Sequence, residues 1–273
     1  MGSVAPSRDS GARREGLLDP SITGQTTKIA TTGVLIPLRE DRYAPGVVVE
    51  QKYQLVRLIG EGGMGSVWIA KHVTLDAHVA LKLMRADFAR VPGAAERMLT
   101  EARAAASIHH PAIVQIFDFG RTRDGDPFIT MELLDGESLS GTLKRRERLP
   151  ATKAIQVLLP IADALVVAHS RGVVHRDLKP DNVLLARLAD GRVQPKILDF
   201  GIAKLEASTS PKLTLDGTVL GSPAYMSPEQ ARGQSDIDLR VDVWAFSVML
   251  YELVTGCTPF AGESYNALLY SIV

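Results

Sequence analysis

One stretch constrains this chain more than any other: His175-Arg176-Asp177-Leu178-Lys179-Pro180-Asp181-Asn182. One apolar run leads in, Gly172-Val173-Val174, and another leads out, Val183-Leu184-Leu185. A polar octapeptide between two short apolar runs reads as a loop joining strands, with its side chains presented at one edge of a fold. Asp177 can accept a proton from a hydroxyl. Lys179, two residues on, can neutralise an anion beside it, and Asn182 offers a carbonyl oxygen to a hard cation. A base, a cation and a metal ligand so close together suit phosphoryl transfer, where positioning and charge stabilisation do nearly all the work. One His-Arg-Asp alone would read as a charged surface loop; an ordered octapeptide is far more specific. The rest of the chain then has to supply a phosphate cradle, a second metal ligand and a lysine.

At 273 residues and 45% hydrophobic, the chain can build a sizeable core in one large domain or two modest ones. Lys+Arg and Asp+Glu are equal at 31 each, and that balance argues against nucleic acid as the main partner. The single cysteine, Cys257, excludes a disulfide framework within the chain and fits a reducing, cytoplasmic setting. It sits in Thr255-Gly256-Cys257-Thr258-Pro259, a helix-ending turn with no acid–base partner beside it, so it reads as a small structural residue. No uninterrupted run of ~18 apolar residues exists, so no transmembrane helix is expected. The longest candidate, Ile155 to Ala168, is interrupted by Pro160 and Asp163, and the N-terminus lacks the apolar core of a secretory signal.

Residues 1–49 are rich in Gly, Ser, Thr, Pro and charge and read as a flexible tail. Thr23, Thr26, Thr27, Thr31 and Thr32 there are either modification sites or simply solvated polarity. Tyr53 to Ile59 has strand composition, Gly60-Glu61-Gly62-Gly63-Met64-Gly65 follows, and Ser66 to Ala70 is strand-like again. The glycines therefore sit in a hairpin. In dinucleotide-binding folds the third glycine opens a helix, and here it opens the β-rich Val67-Trp68-Ile69. Glycines in such a hairpin let backbone N–H groups approach phosphate oxygens.

Lys82 lies inside the apolar strand Val79 to Met84 and needs an anionic partner. A helix from about Pro92 to Ile108 places Ala94, Met98, Glu101, Ala105 and Ile108 on one stripe, with Glu101 its only charge. Ile113 to Phe119 and Pro127 to Leu133 read as strands, and Leu134-Asp135-Gly136 as a linker. Helices are expected near Ser138 to Arg146 and from Ala151 to Arg171, the second stopped by Gly172. Leu185 to Val193 forms a hairpin with Asp190-Gly191 at its turn. Lys196-Ile197-Leu198 is a strand that delivers Asp199-Phe200-Gly201, a carboxylate at a strand end and a good metal ligand. Ala203 to Leu220 is a long polar loop of the functional or mobile kind, and a strongly apolar helix runs from about Leu239 to Val254.

Together these motifs resemble the protein kinase superfamily, and most of all its bacterial serine/threonine kinases of eukaryotic type. The resemblance rests on Gly60-x-Gly62-x-x-Gly65-x-Val67, Val79-Ala80-Leu81-Lys82, Glu101, the octapeptide, Asp199-Phe200-Gly201 and Ser227-Pro228-Glu229, and covers about Tyr53 to Val273. It implies a two-lobed α+β kinase fold. A small antiparallel β lobe with one regulatory helix (about 50–134) would join a mainly helical lobe (about 135–273) that is incomplete at its C-terminus. ATP would bind between them. Residues 60–66 (Gly60, Glu61, Gly62, Gly63, Met64, Gly65, Ser66) would cover the phosphates, and Lys82, held by Glu101, would contact them. Asn182 and Asp199 would bind Mg²⁺. Asp177 would orient and deprotonate the substrate hydroxyl, with Lys179 beside the γ-phosphate. The backbone of Glu132 and Leu134 would hold adenine, Met131 would be the gatekeeper, and Ile59, Val67, Ala80 and Leu184 would sandwich the ring. Lys179 and Ser222 before Pro223 resemble the serine/threonine type, so the partners implied are proteins carrying Ser or Thr.

Ser227 stands where the family usually has alanine, and Ser247 where it usually has glycine, which puts local helix packing in question. The resemblance also implies later helices, one with an arginine for Glu229; without them the chain is expected to be marginally stable and to self-associate. Arg176 beside the catalytic Asp177 implies phosphorylation on the long loop, at Thr214 or Thr218, with Ser208, Thr209 and Ser210 as weaker candidates. The alternative to an active kinase is a pseudokinase that binds nucleotide or a partner without turnover; an oxidoreductase or small-molecule kinase remains as a third.

Overall fold

Alternation along one strand shows how the first half of the chain folds. In Val79 to Met84, successive side chains point to opposite faces of the pleat, and each face meets a different core. Val79, Leu81 and Leu83 join Tyr53, Leu55, Trp68, Ala70 and Phe128 in one apolar cluster. Ala80 and Met84 join Ile129 and Met131 in the larger one. Lys82 shares the second face and is only 7% exposed.

The computed structural model describes residues 42–62, 65–84, 100, 102–200 and 223–273. The strands β1 (Val48–Val49), β2 (Tyr53–Gly62), β3 (Gly65–His72), β4 (Ala77–Met84), β5 (Ile116–Arg121) and β6 (Pro127–Met131) form one antiparallel sheet. Its order is β1-β2-β3-β4-β6-β5. Residues 102–106 are helical; Ala105 and Ile108 bury against the sheet's second face as the stripe reading expects, and Ala102 buries with them. Glu101 and the earlier part of that helix lie outside the described residues, as do Gly63, Met64, Gly201 and the loop residues to Ser222.

A second, three-stranded sheet runs β7 (Gly136–Ser138), β8 (Val183–Arg187) and β9 (Val193–Ile197). Helices α1 (Leu139–Arg146), α2 (Ala151–Ser170), α3 (Pro228–Ala231), α4 (Arg240–Thr255) and α5 (Tyr265–Ile272) complete the described elements. Ser138 caps α1 by accepting from the Gly141 amide. Gly172, at φ 73°, follows α2 where the left-handed region favours glycine. The α2 helix packs on α4, burying Leu158, Ile161 and Leu165 with Ala245, Met249 and Leu253.

Several expectations need correction. The compact unit that carries the sheet takes in residues from Tyr43, ahead of the expected start at residue 50: residues 43–273 cluster together. Val49 is buried, β1 pairs with β2, and the Tyr43 hydroxyl donates to Asp126 Oδ2 at 2.8 Å. A few apolar residues, Tyr43, Val47 and Val49, pack on the outer face of the sheet, and the polar composition of the longer segment hides them. Gly172-Val173-Val174 is not a strand, because the Val173 amide bonds back to Ala168 O at the end of α2. Helix α2 runs unbroken through Pro160. By length and composition alone it could cross a membrane; here its inward face lies in the core and Asp163 sits 3.1 Å from His110 Nε2. Apart from these corrections, helix α4 is buried along one side, while Val243, Leu250 and Tyr251 are exposed, as are Ile155, Leu159 and Val166 on α2.

Candidate active site

The loop at residues 175–182 takes its shape from a carboxylate far away in sequence. Asp242, in the first turn of α4, is fully buried. Its Oδ2 accepts the His175 amide at 2.7 Å and its Oδ1 the Arg176 amide at 2.8 Å. Oδ2 is also 2.8 Å from His169 Nε2, on α2. Two buried amides that no sheet or helix satisfies are thus paired with a charged acceptor, the stronger kind of hydrogen bond. Arg176 is held at φ 65°, a left-handed conformation that costs a non-glycine residue about 1 kcal/mol or more. The His175 ring packs tilted at 58° against Phe200, with centroids 4.9 Å apart, and its Nε2 is 3.0 Å from Leu198 O.

That scaffold presents the reactive groups. Lys179 Nζ donates to Asp177 Oδ2 at 2.9 Å. Asn182 Nδ2 donates to the Asp177 carbonyl at 2.7 Å and to its Oδ2 at 3.2 Å. Residues Pro180–Asn182 form a short 3-10 turn that brings Asn182 back to Asp177. The Leu198 amide donates to Asn182 O at 2.8 Å, joining the end of β9 to the same loop. Asp199 follows at φ 50°.

Lys82 Nζ is 2.8 Å from Asp199 Oδ2. Asp199 is thus an anion beside Lys82 among the described residues; Glu101, the expected partner, lies outside them. Burial alone would raise the Asp199 carboxyl; the charge and hydrogen bond of Lys82, with His175 and Lys179 adding to them, hold it below the usual aspartate range. In the glycine hairpin, β2 and β3 pair Gly60 with Val67 and Gly62 with Gly65. Gly65, at φ 148°, admits no side chain, because a Cβ there would land on the Leu83 carbonyl oxygen. A Cβ on Gly62 would meet nothing. The expected lining residues come from adjoining strands: register places Val67 opposite Lys82 and Ala80 opposite Met131.

Residues 53–273 match the protein kinase domain. The chain belongs to the protein kinase family. Among the kinases it resembles are the serine/threonine-protein kinase pkn3 of Myxococcus xanthus and PknB of Mycolicibacterium smegmatis. It is 42% identical to the first over 82% of this chain and 38% identical to the second, also over 82%. It spans 41% of the first relative's length and 36% of the second's. Among solved structures, the kinase domain of Mycobacterium tuberculosis PknI is similar with a TM-score of 0.65 and 29% identity, covering 84% of each chain. The two-lobed α+β kinase fold expected from the motifs is the fold observed.

Both departures from the kinase pattern have local accounts. Ser227 is the N-cap of α3: its Oγ accepts from the Gln230 amide while Gln230 Oε1 accepts from the Ser227 amide. Gln230 Nε2 also donates to Arg176 O at 2.8 Å, so the cap supports the loop at residues 175–182. Ser247 is exposed and donates to Val243 O at 2.8 Å within an unbroken helix, so packing is undisturbed. Glu229 forms no salt bridge among the described residues. Sequence reading missed Asp242, His169 and Gln230 as supports of the loop. The hint available was an aspartate and a histidine in two mostly apolar helices.

Proposed function

We propose that this chain is an ATP-dependent serine/threonine protein kinase, transferring the γ-phosphoryl group to protein hydroxyls. The observation that carries this reading is Asp177, held by Lys179 and Asn182 on a loop pinned by buried Asp242. Its carboxylate would orient a substrate hydroxyl and take its proton, while Lys179 would balance charge on the group in transfer. The open space about Gly62 supports backbone amides reaching the phosphates, with Lys82 as a further cation. Glu132 and Leu134 would hold the base through their backbone, with Ile59, Val67, Ala80, Met131 and Leu184 around it.

The residues present also fit a magnesium ion. Both Nδ2 contacts of Asn182 turn inward, which leaves its Oδ1 as the free acceptor, and the Asp199 carboxyl stays ionised. Asn182 and Asp199 would hold the ion, which when bound would neutralise phosphate charge. Before then, Lys82 must exchange Asp199 for the nucleotide.

Transfer from radiolabelled ATP to a generic basic protein tests this reading, with Asp177→Asn as control. Label in the wild type that the variant loses supports it; nucleotide binding without transfer would favour the pseudokinase alternative. Autophosphorylation at Thr214 or Thr218 belongs to the same proposal, and phosphopeptide mapping after Mg-ATP tests it. So does self-association through the exposed residues of α2 and α4; a monodisperse monomer in size-exclusion chromatography would exclude it. The single cysteine supports a cytoplasmic setting.

A further inference from the structure

A second charged network lies beneath the segment assigned to the nucleotide base, and nothing in the reaction described above uses it. Lys196, on β9, is 9% exposed. Its Nζ donates to Glu132 Oε1 at 2.6 Å and approaches the Ile113 carbonyl at 3.4 Å. The same Glu132 oxygen accepts the Gln115 amide at 2.8 Å, while the Glu132 amide donates to Gln115 O at 2.9 Å. Glu132 thus spends its side chain inward, on residues 113–115 and β9. Its neighbour Met131 closes the last pair of β6 with Ala80.

The other end of this network is Asp199. Two residues, Ile197 and Leu198, separate Lys196 from it, and the intervening backbone is tied on both sides. The Ile197 amide donates to Ala112 O at 2.8 Å, Val114 donates to Ile197 O at 2.9 Å, and Leu198 donates to Asn182 O at 2.8 Å. A buried ion pair is poor evidence of stabilisation, since apolar replacement is often neutral or better; its well-attested use is to fix one arrangement among several. The arrangement fixed here joins the segment at Glu132, from the sheet lobe, to the strand that delivers Asp199.

We infer that Lys196 and the Glu132 side chain are a positioning pair: they lock the base-docking segment to the strand end that carries Asp199, so that base and phosphate ends of the nucleotide site keep one spacing. This rests on the kinase reading above. Neither side chain touches substrate; each acts through backbone. Removing Glu132 leaves the Lys196 charge buried without its ion partner, and removing Lys196 leaves the half-buried Glu132 with only the Gln115 amide; the charge left over will shift toward water and carry its strand with it. Removing both leaves no charge to relocate.

The test uses the 273-residue chain with Lys196→Met, Glu132→Gln and the double variant E132Q/K196M. Three quantities are read: the dissociation constant of a fluorescent ADP analogue without Mg²⁺, the KM for ATP against kcat, and the thermal melt. Each single variant is expected to weaken nucleotide binding and raise KM about tenfold, ~1.4 kcal/mol, with kcat moved less. The double variant should bind better than the product of the two single effects. A lower melting temperature with binding and KM unmoved would make the pair merely structural and overturn the inference, as would independent, multiplying effects. If a single variant fails to fold, E132K/K196E decides: nucleotide binding near wild type supports the pair, and its loss sinks it. A wild-type chain that binds no nucleotide would take down the kinase reading and this inference together. Unchanged variants beside a binding wild type would remove this inference alone.

Discussion

The loop at residues 175–182 and the hairpin at residues 59–67 are built for opposite tasks. The loop is fastened by polar groups drawn from four places: Asp242, His169, Gln230 and Leu198. Its two buried carboxylate-bound amides leave Asp177 one arrangement. The hairpin is held mainly by its strand ladder, with one side-chain hydrogen bond from Trp68 Nε1 to Ser66 Oγ, and Ile59, Glu61 and Gly62 are exposed. Among its described glycines, Gly65 is the one that is sterically specified, where β3 comes against Leu83. A base needs a fixed direction, which side-chain hydrogen bonds supply. A phosphate cover needs bare backbone, which side chains would obstruct. One region therefore stores its precision in buried charge, and the other in the absence of Cβ atoms.

Four substitutions probe that contrast. Asp177→Asn should reduce transfer by roughly 10²–10⁴-fold while nucleotide affinity stays unchanged, as a radiolabel assay beside a binding titration would read. If the loop's shape depends on Asp242, then Asp242→Ala, which strands two buried amides, should cost about 3 kcal/mol or more in a denaturant melt. It should also abolish turnover; a stable, active variant would show that the polar scaffold is dispensable. In the hairpin, Gly65→Ala should cost about 1–3 kcal/mol, because the strand must move off Leu83 O. Gly62→Ala should stay within about 0.5 kcal/mol of wild type yet raise the KM for ATP. Equal losses of stability from the two would refute the view that only Gly65 is sterically fixed.

A further modest effect, read in stability and its pH dependence, lies behind the loop. The Tyr225 hydroxyl donates to Glu252 Oε2 at 2.6 Å. Burial raises the Glu252 carboxyl, the Tyr225 hydrogen bond opposes the rise, and Asp181 adds to it. The folded state therefore favours protonated Glu252. Its contribution to stability is full below the ordinary glutamate pKa and is lost as pH rises through the raised value. Tyr225→Phe should cost about 1 kcal/mol near neutral pH and steepen that loss, which melts at a series of pH values would follow.

Much of the site was legible because its chemistry is local. Asp177, Lys179 and Asn182 come together through one short turn, so their order along the chain nearly is their geometry. Strand alternation likewise predicts that Lys82 shares a face with Ala80 and Met84. Supports that arrive from elsewhere were not legible. Asp242 looks like one polar residue at the start of an apolar helix, and nothing near it in sequence names the amides it binds. Lys196 reads as an ordinary strand residue until β9 lies against residues 112–114. The tail boundary failed for a related reason: the few apolar residues of 43–49 mean little until the sheet offers them a face.

By itself, the sequence determined which chemical groups this protein brings to the reaction, and the periodicities that make its sheets and helices. Both are properties of neighbours along the chain, set by side-chain identity and by the alternation of the pleat and helix turn. Only the tertiary structure decided who pairs with whom at long range: Lys82 with Asp199, Lys196 with Glu132, and Asp242 with the catalytic loop. Those pairings depend on sheet register and on how α2 meets α4. Charges carry no address along the chain, and they find partners only where packing has already excluded water.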